Sequence, residues 1–136
     1  MTLTHHELCF GCGSANLFGL QMELERDGDD RVTGRFFLKQ DHQGPPGHAH
    51  GGILASALDE AMAMVMWAEG ILAPTRRLEV DLLAPAPVGV FLQLEAQIES
   101  RDGGKTWVRG SVRDEERVVA EGRALFVTQI VDTLKG

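Results

Sequence analysis

Two adjacent glycines, Gly51 and Gly52, and a carboxylate seven residues beyond the second, Asp59, form the segment best suited to chemistry. The stretch reads His50-Gly51-Gly52-Ile53-Leu54-Ala55-Ser56-Ala57-Leu58-Asp59-Glu60-Ala61-Met62. Glycines at a helix start leave backbone N–H groups open, with no side chain in the way. The helix dipole adds partial positive charge there. Such a site can hold an anion or a polarised carbonyl oxygen. Helix capping or close packing explains a Gly-Gly pair equally well. Asp59 is the more unusual feature. Its helical neighbours, Ala55, Ser56, Met62 and Ala63, are mostly apolar. A carboxylate in such surroundings is costly unless it is partnered or functional. The alternative is that Asp59 or Glu60 lies at a surface break and is solvated.

A second group of reactive side chains lies near the N-terminus: His5, His6, Cys9 and Cys12. The Cys-x-x-Cys spacing suits zinc. No second cysteine pair follows, so the segment is read as an N-terminal stretch with free thiols, and no metal or cofactor is assigned.

The elements that must position these residues follow from periodicity. Leu20, Met22 and Leu24 alternate with polar residues from Gly19 onward, and Val32 to Leu38 follows after the Asp27-Gly28-Asp29-Asp30 turn, with Phe36 and Leu38 on one face. These predict a strand hairpin. A loop spans Gln40 to His50 around Gly44-Pro45-Pro46-Gly47. From Gly51 to about Gly70, Ile53, Leu54, Ala57, Leu58, Ala61, Met62, Val65 and Met66 recur at helical spacing, and Ala55, Ala63, Met64 and Trp67 fill most other faces. A helix apolar nearly all round is buried. After Pro74 the period returns to two, through Leu78, Val80 and Leu82, then Val90 to Ile98, Thr106 to Val112 and Val118 to Thr128, with a hairpin turn at Asp102-Gly103-Gly104. The predicted order is β-β-α-β-β-β-β, an α+β fold in which a curved antiparallel sheet wraps one helix. One sheet covers so apolar a helix poorly, which points to a second subunit.

Composition bounds the function. The chain has 136 residues, with 13 Lys and Arg against 20 Asp and Glu, a net charge of −7. That length suits one domain. Its expected limits are an irregular lead-in over 1–18, a single domain over 19–131 and a tail over 132–136. A hydrophobic content of 43% with 24% charged residues suits an ordinary folded core. The acidic balance argues against a nucleic-acid partner. No apolar run is long enough for a membrane span. Met1 to Phe10 lacks the apolar centre of a secretory signal, so a cytoplasmic location is the expectation.

The His-Gly-Gly helix start with Leu58-Asp59-Glu60-Ala61-Met62 resembles the hotdog-fold acyl-CoA thioesterases of the phenylacetate-degradation type. Cys9-Phe10-Gly11-Cys12-Gly13, with Asn16 and Gly19-Leu20, is similar to the lead-in of one branch of that family, and Pro85-Ala86-Pro87-Val88-Gly89 to the break after its third strand. The resemblance implies hydrolysis of an acyl-CoA to free acid and CoA. It implies that Asp59 activates water or attacks the thioester carbon, that the Gly52 N–H binds the carbonyl oxygen, that His50 helps to shape that site, and that Thr75 orients the water. Gly51, Ser56, Met62 and Gln43 complete the expected substrate-binding set, with the acyl group among Met62, Met66 and Phe36. Many relatives carry Asn or Gln six residues before the His, where this chain has Gly44, leaving Gln43 or His42 to supply that contact. Arg76, Arg77, Arg101, Lys105 and Arg109 are the candidates for the CoA phosphates.

One helix cannot easily bring Gly52 and Asp59 to one carbonyl, since seven residues span roughly 10 Å of helix axis. Two helices packed antiparallel across a two-fold axis can. The expectation is therefore a homodimer with a site at each end of its interface, pairing further into a dimer of dimers. The rival readings are a non-catalytic acyl-CoA-binding or sensing module, and a hydratase or dehydratase on the same fold.

Overall fold

Alternation along β5 shows how the sheet is made. Leu92, Leu94 and Ala96 point into the core, while Phe91, Gln93 and Gln97 face outward. The computed structural model describes residues 2–128. Its strands are β1 (Thr2–Leu3), β2 (Glu23–Arg26), β3 (Arg31–Phe37), β4 (Thr75–Leu82), β5 (Phe91–Asp102), β6 (Lys105–Asp114) and β7 (Arg117–Val127), with helix α1 over Gly51–Ala68. The seven strands form one sheet in the order β1-β2-β3-β5-β6-β7-β4, and every neighbouring pair is antiparallel. This is the hotdog architecture, with α1 lying along the apolar face.

The helix is held by shape as well as by apolar burial. Leu54, Ala57, Leu58, Ala61, Met62, Met64, Val65 and Met66 are buried. Gly110 of β6 lets the helix approach, since a Cβ there would lie 3.1 Å from Met62 Cγ and 3.4 Å from Leu58 Cδ2. Leu58 has no exposed surface. Leu58→Ala is expected to lower stability by about 2–5 kcal/mol, read as a shift in denaturant midpoint with an unchanged m value.

Three details differ from the periodicity. The lead-in is not wholly irregular, because Thr2 and Leu3 pair with Glu25 and Leu24 as β1. A two-residue strand is too short to display a period of two. Leu20, Met22 and Leu24 are all buried as the alternation predicts, yet the ladder of β2 begins only at Glu23. Gln21 adopts φ 49°, and Leu20 and Met22 donate instead to the carbonyls of Phe10 and Gly11. The third concerns the helix, whose flank of Ile53, Ala55, Ser56, Asp59, Glu60, Ala63 and Trp67 is only partly covered. The predicted hairpin at Asp102-Gly103-Gly104 does form, with φ +52° and +92° at the two glycines. Among the described residues no helix is long and apolar enough to cross a membrane. The predicted tail over 132–136 and the domain end at 129–131 lie outside the described residues.

Candidate active site

Successive helical residues turn by about 100°, so Asp59 and Glu60 of α1 look in different directions. Asp59 faces the start of β4, where the Thr75 hydroxyl donates to its Oδ1 at 2.5 Å. Among the described residues no other protein group hydrogen-bonds this carboxylate. Partial burial raises its pKa above the ordinary carboxylate value, the Thr75 hydrogen bond opposes that rise, and the neighbouring Glu60 charge adds to it.

A β-bulge makes the Thr75 contact possible. Leu82 packs over the start of α1, so close that a Cβ on Gly51 would lie 2.6 Å from its Cδ1. Thr75 and Leu82 are seven apart, and an odd separation in a regular strand puts two residues on opposite faces. Both nevertheless touch the helix. The register of β4 against β7 slips between Thr75 and Arg77, and Arg76 is the extra residue. The slip turns Thr75 back toward α1.

At the helix start His50 is the N-cap, and its Nδ1 accepts from the Gly52 N–H at 2.9 Å. The predicted oxyanion donor is thus engaged by the predicted loop histidine, whose exposed ring accepts through Nδ1. Ser56 donates back to the Gly52 carbonyl at 2.8 Å. The preceding loop is closed on itself. Gln43 Oε1 accepts from the Gly47 N–H at 2.8 Å, and the His50 N–H donates to the His42 carbonyl at 2.9 Å. His42 is buried, its Nδ1 accepts from the Lys39 N–H, and burial lowers its pKa. Gly44 has a steric reason. A Cβ there would lie 2.9 Å from His50 Cα, so an Asn or Gln at this position needs a different loop path.

Several predicted contacts fall elsewhere. Met62, Met66 and Phe36 are sealed in the core of the protomer and present no surface to a ligand. Arg101 is paired with Glu69, and Arg77 lies 3.6 Å from Glu79. Arg109 lines the polar trough on the sheet face away from α1. Arg76 and Lys105 have no carboxylate within 4.0 Å among the described residues, and Arg76 adjoins Thr75 at the bulge.

Glu60, assigned no role from the sequence, turns toward the N-terminal segment. Its Oε2 lies 2.9 Å from His5 Nδ1, and both its oxygens lie 3.6 Å from Cys9 Sγ. Cys12 Sγ lies 3.6 Å from His5 Nδ1. His6 stays outside the group, its Nδ1 accepting from the Leu8 N–H. The cluster is therefore His5, Cys9, Cys12 and Glu60. No local sequence signal marks Glu60; in the fold Gly11 makes room for it, since a Cβ there would lie 2.3 Å from Glu60 Cγ.

Comparison with known proteins agrees with this architecture. The sequence model of the thioesterase superfamily matches residues 46–121, and the chain belongs to that superfamily. It is 31% identical over 87 residues to acyl-coenzyme A thioesterase THEM4 of Rattus norvegicus, a match covering 62% of this chain and 37% of that protein. The chain thus spans well under two thirds of that relative. The crystal structure of protein RHA08564, a thioesterase superfamily protein, superposes with a TM-score of 0.79 at 32% identity, over 85% of this chain and 60% of the other. The Escherichia coli PaaI protein from the phenylacetic acid degradation operon shares the fold, with a TM-score of 0.74 at 19% identity over 79% of this chain and 83% of its own.

Proposed function

We propose that the protein is an acyl-CoA thioesterase, cleaving its substrate with water to a free acid and CoA. The observation that carries this reading is the half-buried Asp59 carboxylate, held on one oxygen by Thr75 and otherwise without a protein partner among the described residues. A base needs a fixed orientation and a free lone pair, and Asp59 has both. Water held between Asp59 and Thr75 gives its proton to the carboxylate as it attacks the thioester carbon, and the C–S bond then breaks, CoA leaving as a thiolate that takes up that proton. In the covalent variant Asp59 attacks, CoA thiolate leaves, and water opens the mixed anhydride.

The carbonyl oxygen is taken by the Gly52 N–H of a partner protomer, displacing His50 Nδ1. That exchange keeps the N–H satisfied in both states, and the exposed His50 ring is free to turn. A homodimer is supported by β4, which is the edge strand among the described residues, where Leu82 is 55% and the following Leu83 52% exposed beside the half-covered flank of α1. Dimers pairing into tetramers remain part of this proposal. With Met62 in the core, acyl contacts fall to Ile53, Ala63 and the β4 leucines at that interface. Arg76, beside Thr75, is the best placed of the basic candidates for a CoA phosphate.

The test is release of free thiol from a panel of acyl-CoAs. Tight binding without release over the whole panel identifies a sensing module instead, and water addition to an enoyl-CoA a hydratase. Thr75→Val removes one hydrogen bond and is expected to lower kcat about three- to tenfold, with Thr75→Ser restoring it.

A further inference from the structure

Four of the large apolar side chains of the N-terminal segment do little to hold it in place. Leu17 and Phe18 are 76% and 89% exposed, and Leu8 and Phe10 also face solvent. Yet residues 5–20 turn tightly, and His5, Cys9 and Gly11 lie against Glu60 of α1. Gly13 donates to the Cys9 carbonyl at 2.9 Å, and a Cβ on Gly13 would lie 2.3 Å from the Glu7 carbonyl oxygen. What these turns converge on is polar: His5, Cys9, Cys12 and Glu60 bring one ligand atom each within 4.8 Å of one another.

We propose that His5 Nδ1, the Cys9 and Cys12 sulfurs and a Glu60 oxygen bind one zinc ion per chain, in a closed structural site that fastens the N-terminal segment to α1. Tetrahedral zinc, with Zn–S about 2.3 Å and Zn–N or Zn–O about 2.0–2.2 Å, requires ligand atoms about 3.3–3.8 Å apart. His5 Nδ1 lies 3.8 Å from Cys9 Sγ and 3.6 Å from Cys12 Sγ, and Glu60 lies 3.6 Å from Cys9 Sγ. Of these four separations the 2.9 Å between His5 and Glu60 is the short one, and it opens by about 0.4 Å to reach that range, while all the ligand atoms lie within 4.8 Å of one another. The two soft sulfurs beside an imidazole favour zinc over magnesium or calcium. Cys9 and Cys12 bind as thiolates, their protons passing to solvent. The His5 N–H donates to Cys12 Sγ at 3.2 Å, an outer-sphere bond that steadies a thiolate ligand. Gly11 leaves the room in which the Cys-x-x-Cys turn folds over Glu60. Four protein ligands leave no open position for water, so the role is structural. Glu60 adjoins Asp59, and the ion would fix the helix turn that carries the base.

The proposal is independent of thioester hydrolysis, and so is its test. Protein purified under reducing conditions is expected to carry one equivalent of zinc per chain by elemental analysis. After chelation, cobalt(II) should produce the sulfur-to-metal charge-transfer band and the intense visible absorption of a tetrahedral thiolate site. Cys12→Ser and Glu60→Gln should each weaken zinc binding, Cys12→Ser by at least ~100-fold, the upper end of what outer-sphere changes cost. His6→Ala should leave it unchanged. Chelation should lower the melting temperature of the wild type and open residues 5–20 to protease. A chelated but folded wild type that shows no tetrahedral cobalt spectrum overturns the proposal. So does a Cys9–Cys12 disulfide in metal-free protein isolated under reducing conditions, or full zinc affinity in Cys12→Ser.

Discussion

Asp59→Asn is expected to lower kcat for thioester hydrolysis by about 10²–10⁴-fold, the usual contribution of a positioned general base. The amide is the same size as the carboxylate and still accepts from the Thr75 hydroxyl through its oxygen, so the fold and the Thr75 contact survive. What is lost is the ability to take a proton or to form an anhydride. Substrate affinity, measured by direct binding of a non-hydrolysable acyl-CoA analogue, should change little, because the proposed mechanism has Asp59 act on the reacting centre rather than on the CoA handle. Retained activity in a correctly folded Asp59→Asn protein would remove Asp59 from the site. Loss of binding together with loss of rate would instead assign it to substrate recognition.

Mixing two inactive variants should restore activity, and this separates a shared site from one contained in a single protomer. Asp59→Asn removes the base. Gly52→Pro removes the backbone N–H at a first-turn position, where no intrahelical bond is broken. Neither homodimer has a complete site. In a mixed dimer one site pairs the intact Asp59 of one protomer with the intact Gly52 of the other. Random reassortment makes half the dimers mixed, with one working site of two, so about one quarter of the wild-type rate should return. Thiol release after joint refolding, compared with each variant refolded alone, reads this directly. Recovery absent from samples in which mixed dimers are verified by mass would place both groups in one chain or remove Gly52 from the reaction.

The helix was legible because its apolar residues recur on nearly every face, a pattern no strand can show. The long strands were legible because Leu92, Leu94 and Ala96, or Leu78, Val80 and Leu82, keep period two. What periodicity missed has definite physical causes. β1 is two residues long. The contact of Glu60 with residues 5–12 joins segments about fifty positions apart, and local patterning carries no trace of it. The capping bond from Gly52 to His50 depends on a side-chain rotation, not on spacing. Treating Met62 as a substrate contact took its place on the motif for its surroundings, whereas Gly110 draws it into the interior. Thr75 was reached through the motif alone, since alternation by itself would turn it away from Asp59.

That last point has a consequence for the chain's tolerance to length changes. β4 carries a phase error of one residue, and the hydroxyl ahead of it is aimed by that error. Removing Arg76 would place Thr75 six residues from Leu82, an even separation that keeps both on the helix-facing side of a regular strand, so the hydroxyl should still meet Asp59. A residue added or lost in the loop before Thr75 can be absorbed as slack. The same change between Arg77 and Leu82 cannot, because it sends Thr75 and Leu82 to opposite faces.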